Sequence, residues 1–301
     1  MKNKYSLSIG IPTYEAGESL VYTLKSLYGQ TGFKFVEKIY LVVDGNKIDR
    51  KILRKIKNRK LNIYYAKERN GQSARINDIF KKANSDYLLL TNDDVIMAKN
   101  CLKNIYQAIN KTDSGLLACN VLPISPRTTL QKIFNAGYEI NQKITLSWDY
   151  GINYLSCNGR GIILNKALFK KITIPEKLWN NDAFIFIYSR LNRFNFSFLK
   201  NVKVWYQLPT NITEYTKQSK KFEYSYLENK KYFKTDIKIF YKKPFFKSIF
   251  SFIKALINNP VYTVAYLPVF IHSQFSLSGR ESMFNKSYWE TDKSTKLNLG
   301  I

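Results

Sequence analysis

The sequence is short of histidine, cysteine and acid. A single histidine, His272, occurs in 301 residues. Multi-histidine metal centres are therefore excluded, and a Ser-His-Asp arrangement would have to use His272. His272 closes an apolar segment and reads as a boundary residue rather than a catalytic one. The three cysteines, Cys101, Cys119 and Cys157, are widely spaced and odd in number. That suits neither a zinc ribbon nor a disulfide framework and fits a reducing, cytoplasmic setting. Acids number 22 against 48 Lys and Arg, a net charge of +26. Catalysis must then rest on carboxylates, hydroxyls, backbone amides or a carboxylate-held metal. Partners are expected to be anionic: nucleic acid, anionic lipid or phosphorylated small molecules. A long apolar run is missing too. Residues 7–11 are too few for a signal-peptide core and stop at Pro12, so export is not expected. The apolar stretch 244–277 is interrupted by Lys247, Lys254, Asn258, Asn259 and Pro260, leaving no clean window of about 20 apolar residues.

What is present is an apolar fraction of 45%, enough for a sizeable core. Short apolar runs alternate with amphipathic stretches through the first part of the chain. The pattern predicts strands at 7–11, 38–43, 61–66 and 86–91. It predicts helices at 20–29, 50–58, 73–83 and 99–110, the first capped by Ser19. Such alternation specifies a parallel α/β sheet, whose ligands sit beyond the carboxyl ends of the strands. Beyond residue 115 the pattern loosens, with strands predicted at 116–122 and 162–164 and a helix at 184–191. Residues 217–247 carry ten Lys and three acids, a local +7 interleaved with aromatics.

The polar residues at the strand ends carry the chemistry. Asn92-Asp93-Asp94 follows the apolar Tyr87-Leu88-Leu89-Leu90 with no basic neighbour. Adjacent carboxylates repel unless solvent or a cation intervenes, and oxygen-only ligation suits Mg²⁺ or Mn²⁺ bridged to substrate phosphates. The same residue types also favour turns and caps. Asp44-Gly45 ends a neighbouring strand, as a turn or as a carboxylate accepting from a nucleobase or ribose. Arg69-Asn70-Gly71, with Arg75 and Asn77, combines a glycine, a helix start and a cation suited to a diphosphate. The Gly-Lys-Ser/Thr phosphate loop and the Rossmann glycine fingerprint are both absent. Asp182 precedes an apolar helix as an N-cap or, with no histidine near it in sequence, as a general base for a hydroxyl nucleophile.

Taken in order, these clusters resemble family 2 glycosyltransferases of the GT-A nucleotide-sugar fold. The matching stretches are Ser8-Ile9-Gly10-Ile11-Pro12-Thr13-Tyr14, Val42-Val43-Asp44-Gly45-Asn46 and Arg69-Asn70-Gly71 through Ala74-Arg75-Ile76-Asn77. Tyr87 to Val95, Gly159-Arg160-Gly161 and Asn181-Asp182 follow, so the resemblance spans about residues 5–225. It implies a Rossmann-like, mixed but mostly parallel α/β sheet flanked by helices. It implies nucleotide-sugar contacts from Pro12, Thr13, Tyr14, Glu15, Asp44, Gly71, Arg75, Asn92 and Asp93, with the Tyr14 ring near the base. Asp94 corresponds to the second acid of the DxD metal motif, Asn92 replacing the first, and Asp182 to the catalytic base. Gly159 and Arg160 fall on the acceptor side. Gln218-Ser219-Lys220-Lys221-Phe222 resembles the QxxRW motif and adds Gln218, Lys221 and Phe222 to that side.

Several positions depart from the family pattern. Glu15 stands where Asn is usual, Asp44 stands without its usual acidic partner, and Asn181 replaces an acid. Lys221 and Phe222 replace Arg and Trp, and lysine cannot clamp bidentately as arginine does.

The resemblance implies an inverting transfer of a hexosyl or deoxyhexosyl unit from a nucleoside-diphosphate sugar. The acceptor would be a hydroxyl of a glycan or lipid-linked molecule in cell-surface polysaccharide or glycolipid synthesis, and the ion Mg²⁺ or Mn²⁺. A nucleotidyltransferase would need a glycine-rich basic first loop, which Pro12-Thr13-Tyr14-Glu15 does not supply. An inactive scaffold of the same fold is one alternative. A basic nucleic-acid-binding protein is another, although it leaves the acidic strand ends unexplained. The chain is expected to divide into a catalytic domain, 1–225, and a basic, aromatic-rich helical extension, 226–301. Within the extension, 244–277 reads as interfacial helices, and the preceding +7 segment suits anionic headgroups. Core helices or a dimer interface are the other reading of that stretch. The expected location is the cytoplasmic face of the cell membrane, peripheral or monotopic.

Overall fold

A computed structural model describes residues 4–275 and 293–296. The chain begins with β1 (Leu7–Thr13), α1 (Glu18–Tyr28), β2 (Val36–Val43), α2 (Arg50–Ile56), β3 (Leu61–Tyr65), α3 (Gly71–Lys82) and β4 (Tyr87–Leu90). Next come β5 (Val95–Met97), α4 (Cys101–Lys111), β6 (Leu116–Pro123), α5 (Thr129–Ser147), β7 (Ile162–Asn165), α6 (Lys166–Lys171), α7 (Asn181–Leu191) and β8 (Phe196–Tyr206). The helices α8 (Ile212–Lys230), α9 (Lys238–Tyr241), α10 (Phe245–Asn258), α11 (Pro260–Phe275) and α12 (Lys293–Lys296) complete the described residues.

The eight strands form one sheet, in the order β3-β2-β1-β4-β7-β6-β8-β5. The β3-β2-β1-β4 half is parallel throughout, and β6 and β8 are parallel to each other. β7 runs antiparallel to both β4 and β6, and β5 antiparallel to β8. The expected mixed, mostly parallel α/β sheet is therefore present. Because side chains alternate across a strand, Leu7, Ile9, Ile11, Ile39, Leu41, Val43 and Leu89 enter a core under α1, α2 and α4. Tyr40, Val42, Leu88 and Leu90 enter the opposite core, under α3, α6 and α7. With both faces buried, the central strands read in sequence as continuous apolar runs.

Boundaries moved where local chemistry decides them. β1 continues through Pro12 to Thr13 because its pairing with β4 ends at Gly10, so no β4 carbonyl calls for the missing Pro12 N–H. α1 starts at Glu18 with Gly17 at its N-cap, and Ser19 is buried inside the first turn instead of capping it. The elements α5, β8 and α8 have no counterpart in the sequence pattern. The buried face of α5 mixes Gln131, Ala136 and Gly137 with Phe134 and Ile144. That of α8 is Thr216, Tyr224, Ser225, Glu228 and Asn229, too polar to give an apolar stripe. α8 spans residue 225, so the two parts of the chain share this helix.

α10 and α11 both pack on α5. A small third cluster of Phe134, Ala136, Leu208, Tyr266 and Val269 holds α11 there. The outer side of α10 leaves Phe245, Phe246, Ile249, Phe250, Ile253 and Ile257 exposed, and α11 exposes Val261, Val264, Leu267, Phe270 and Ile271. Among the described residues no helix is long and apolar enough to cross a membrane. His272 is exposed on α11, and residues 276–277 of the apolar stretch lie outside the described residues. All three cysteines are buried and unpaired.

Candidate active site

The loops at the carboxyl edge of the parallel strands surround a cleft of about 200 Å³. Because β7 is antiparallel, its start lies beside the end of β4, Leu90 pairing with Ile162. That reversal brings Gly159 and Arg160 to the same edge as Thr13, Asp44 and Asp94. The cleft wall contains Pro12, Thr13, Tyr14, Asp44, Gly71, Arg75, Asn92, Asp93, Asp94, Gly159, Arg160, Asp182, Gln218, Lys221 and Phe222. Of the residues to which the resemblance assigns a role, only Glu15 is outside this wall; Asn77, grouped with Arg75 in the sequence, is outside it too and donates to the Ile174 carbonyl (2.7 Å).

At one end, Asp44 sits against the start of α3. Its carboxylate accepts the backbone N–H groups of Asn70 (3.0 Å) and Gly71 (2.9 Å). Gly71 has φ +83, a left-handed conformation that glycine adopts at little cost. Arg75 is held by two acids, Asp44 (Nε to Oδ1, 3.3 Å) and Asp78 (Nη1 to Oδ2, 3.0 Å). The Arg69 guanidinium lies over the Tyr14 ring, 3.6 Å from its centroid. Gln72 links the cleft walls, donating to Asn92 Oδ1 (3.1 Å) and accepting from Asn181 (3.4 Å).

The acids after β4 have different surroundings. Asp93 Oδ2 accepts the Thr13 hydroxyl and the Lys296 ammonium, the latter at 2.9 Å. Lys296 belongs to α12 and also donates to the Glu15 carbonyl at 3.4 Å. Burial lowers the Lys296 pKa, but Asp93, Asp94 and Glu15 raise it more, so the net direction is up. Asp94 is buried, and its Oδ1 has no hydrogen-bond partner. Burial pushes its carboxyl above the ordinary range; Arg160 opposes this, and Asp93 adds to it. An orphaned, desolvated carboxylate oxygen in a cleft wall fits a divalent cation. Among the described residues there is no group of three or more potential ligands from His, Cys, Asp and Glu. The remaining coordination would come from substrate oxygens and water, as Mg²⁺ and Mn²⁺ sites commonly arrange.

Asp182 lies in the first turn of α7, whose N-cap is Asn180 rather than Asp182 itself. The carboxylate is thereby free to face the cleft. Lys221 Nζ lies 3.8 Å from its Oδ2. A Cβ on Gly159 would come within 2.3 Å of its Oδ1, so glycine leaves the space the carboxylate fills. Behind it, buried Glu228 of α8 accepts the N–H groups of Trp179 (2.7 Å) and Asn180 (3.1 Å). Burial raises the Glu228 carboxyl above its ordinary range, against those two hydrogen bonds.

Several wall residues escaped the sequence reading: Gln72, Asn158, Trp179, Thr295 and Lys296. Trp179, beside Asn181-Asp182, had a positional signal. Lys296 had none, since it lies about 200 residues from Asp93 in a lysine-rich sequence. A second cavity, of about 300 Å³, adjoins the cleft and shares Asn158, Arg160, Gln218 and Phe222 with it.

The sequence profile described as Glycosyl transferase family 2 matches residues 8–172, more than half of the chain. Among solved structures, residues 1–349 of TarS from S. aureus are similar at 18% identity and a TM-score of 0.56, with 93% of this chain and 75% of that one covered. The same TarS segment in complex with UDP-GlcNAc is similar at 17% identity and TM-score 0.56, covering 93% and 76%. The mannosyltransferase PcManGT from Pyrobaculum calidifontis, in complex with GDP-Man and Mn²⁺, is similar at 10% identity and TM-score 0.62, covering 91% and 84%. No curated protein matches by sequence. At these identities the structural likeness speaks for the fold.

Proposed function

Since the chain belongs to glycosyl transferase family 2 and has the GT-A fold, we propose that it transfers a hexosyl or deoxyhexosyl unit from a nucleoside-diphosphate sugar to an acceptor hydroxyl, with inversion. The observation that carries this reading is the convergence of separate segments, from Pro12 to Phe222, on one cleft at the carboxyl edge of the sheet.

In this reading Tyr14, Asp44, Gly71 and Arg75 bind the nucleotide end, together with Pro12, Thr13 and Glu15. Asn92 and Asp93 line the diphosphate end, and Asp94 would hold Mg²⁺ or Mn²⁺. The bound ion supplies charge neutralisation of the departing diphosphate. Asp182 accepts the proton of the attacking hydroxyl, help worth about 10²–10⁴-fold. Gly159, Arg160, Gln218, Lys221 and Phe222 form the acceptor side. Lys221, 3.8 Å from the Asp182 carboxylate, adds positive potential near the reacting centre. Glu228 fixes the chain entering α7, and with it the direction of the base.

The acceptor in this reading belongs to cell-surface polysaccharide or glycolipid synthesis, and no nucleic acid is involved. A catalytic body ending near residue 225 continues through α8 into a helical extension. The exposed apolar sides of α10 and α11 support seating on the cytoplasmic face of the membrane without spanning it. Exposed Lys242, Lys247 and Lys254 flank that surface, and lysines close to an anionic bilayer contribute about 1 kcal/mol each.

The test is a nucleotide-sugar screen with Mn²⁺, read as diphosphate release and thermal shift. UDP-GlcNAc and GDP-mannose come first, being the sugars bound in the similar structures. The expected outcome is a thermal shift with one nucleotide class and release with one donor. No shift with any nucleoside diphosphate would refute the assignment of the cleft.

A further inference from the structure

We infer that Lys296, carried by the C-terminal helix α12, is a diphosphate-binding residue of the donor cleft. This rests on the glycosyltransferase reading of that cleft and extends its donor site to a segment outside the stretch that matches the family.

Three observations carry the inference. First, Lys296 and Thr295 line the same cleft as Asp93 and Asp94, and Thr295 is buried there. Second, α12 is anchored from outside the cleft. Ser294 donates its hydroxyl to Glu214 in the first turn of α8 and accepts the Thr210 N–H at 3.2 Å. The lysine is thus delivered by a docked segment and not only by its own ion pair. Third, an ammonium has three N–H donors. Asp93 and the Glu15 carbonyl take two of those of Lys296, at 2.9 and 3.4 Å. One donor remains for a ligand, among the described residues.

The charge arrangement around the acids calls for such a cation. Asp93 and Asp94 are adjacent, and together they would repel a diphosphate. Arg75 is held by Asp44 and Asp78, at the other end of the cleft. Arg160 and Lys296 are the cations that act on Asp94. Lys296 neutralises Asp93 and presents positive charge at the position where an anionic leaving group meets the acidic pair. As a compact point charge on a flexible stem, lysine can hold Asp93 and a phosphate oxygen together.

The test uses the full-length protein and calorimetric titration with UDP and GDP, with and without Mn²⁺. The matched nucleosides, uridine and guanosine, serve as ligands without phosphate. Lys296→Ala should weaken binding of whichever nucleoside diphosphate the wild type prefers by roughly tenfold or more, the usual scale for losing a charged hydrogen bond. Nucleoside binding should be unchanged, and Lys296→Arg should recover most of the loss. A chain stopped after residue 292 should behave like Lys296→Ala.

Unchanged diphosphate affinity in Lys296→Ala would overturn the inference. So would tighter binding, which would make Lys296 a competitor for the cation position. An equal loss for nucleosides and diphosphates would make α12 merely structural and overturn it as well. A wild type that binds neither nucleoside diphosphate would instead refute the donor-cleft reading itself.

Discussion

Gly159→Ala probes the role of Asp182 without altering its charge. The added Cβ would stand 2.3 Å from Asp182 Oδ1, 3.0 Å from Cγ and 3.2 Å from Oδ2. A carbon and an oxygen not joined by a normal hydrogen bond settle at about 3.3–3.6 Å, so the carboxylate must retreat by about 1 Å. Gly159 is not among the glycines of positive φ, so alanine brings no left-handed strain at that position. The atom displaced is the end of a side chain, which can move without unfolding α7. A misplacement of about 1 Å at a reacting group can cost about 10²-fold in rate. Gly159→Ala should therefore lower kcat about 100-fold while the Kd of the nucleoside diphosphate changes by less than about twofold. Asp182→Asn sets the floor of the comparison, abolishing transfer with nucleotide binding retained. The assay is diphosphate release at saturating donor, beside calorimetric titration of the nucleotide. Wild-type turnover by Gly159→Ala would refute the assignment of Asp182 as base. Loss of nucleotide binding in step with activity would show that the loop had collapsed and that base geometry was not the cause.

Glu228→Ala leaves the N–H groups of Trp179 and Asn180 without their acceptor. Denaturant unfolding should show a cost of about 2–6 kcal/mol, from about 1–3 per unsatisfied buried group, and kcat should fall as the entry to α7 loosens. The folded protein holds the Glu228 proton more tightly than the unfolded chain, whose carboxyl titrates near 4.5. Its contribution to stability is thus fully present below that value and is lost as pH rises through the folded pKa; Glu228→Gln should flatten this part of the thermal-stability profile. Asp94→Asn removes a desolvated charge, so the metal-free melting temperature should not fall, while the Mn²⁺-dependent part of nucleotide binding disappears; an intact Mn²⁺ response would count against Asp94 as the ligand. Phe246→Glu with Phe250→Glu, at residues 83% and 66% exposed, should leave the melting temperature unchanged and abolish sedimentation with phosphatidylglycerol-containing vesicles at low salt. Wild-type protein that stays in the supernatant under those conditions would remove the membrane from the reading.

The parallel half of the sheet was legible because its strands are buried on both faces and the helices between them are amphipathic. In β2, Ile39, Leu41 and Val43 form one face while Tyr40 and Val42 form the other, so every position of the run is apolar. The second half was harder to read. β8 carries residues such as Lys200 and Lys203 within a strand, and α8 buries polar side chains such as Ser225 and Asn229. The cleft residues were legible where glycine, acid and amide types cluster at strand ends, as at Asp44 and Asn92-Asp93-Asp94. They were not legible where tertiary packing alone brings them in. Glu228 reaches Trp179 from α8, and Lys296 reaches Asp93 from the last described helix; neither sits in a local pattern that marks it.

The reversal at β4 and β7 also bears on the order in which the chain assembles. β1 to β4 come from one continuous stretch, residues 7–90, which β4 closes by pairing with β1. β7 joins β4 only from residue 162 onward, so it is synthesised after the β1–β4 half is complete. The nucleotide half of the cleft should therefore be in place on the ribosome before the half that bears Asp182.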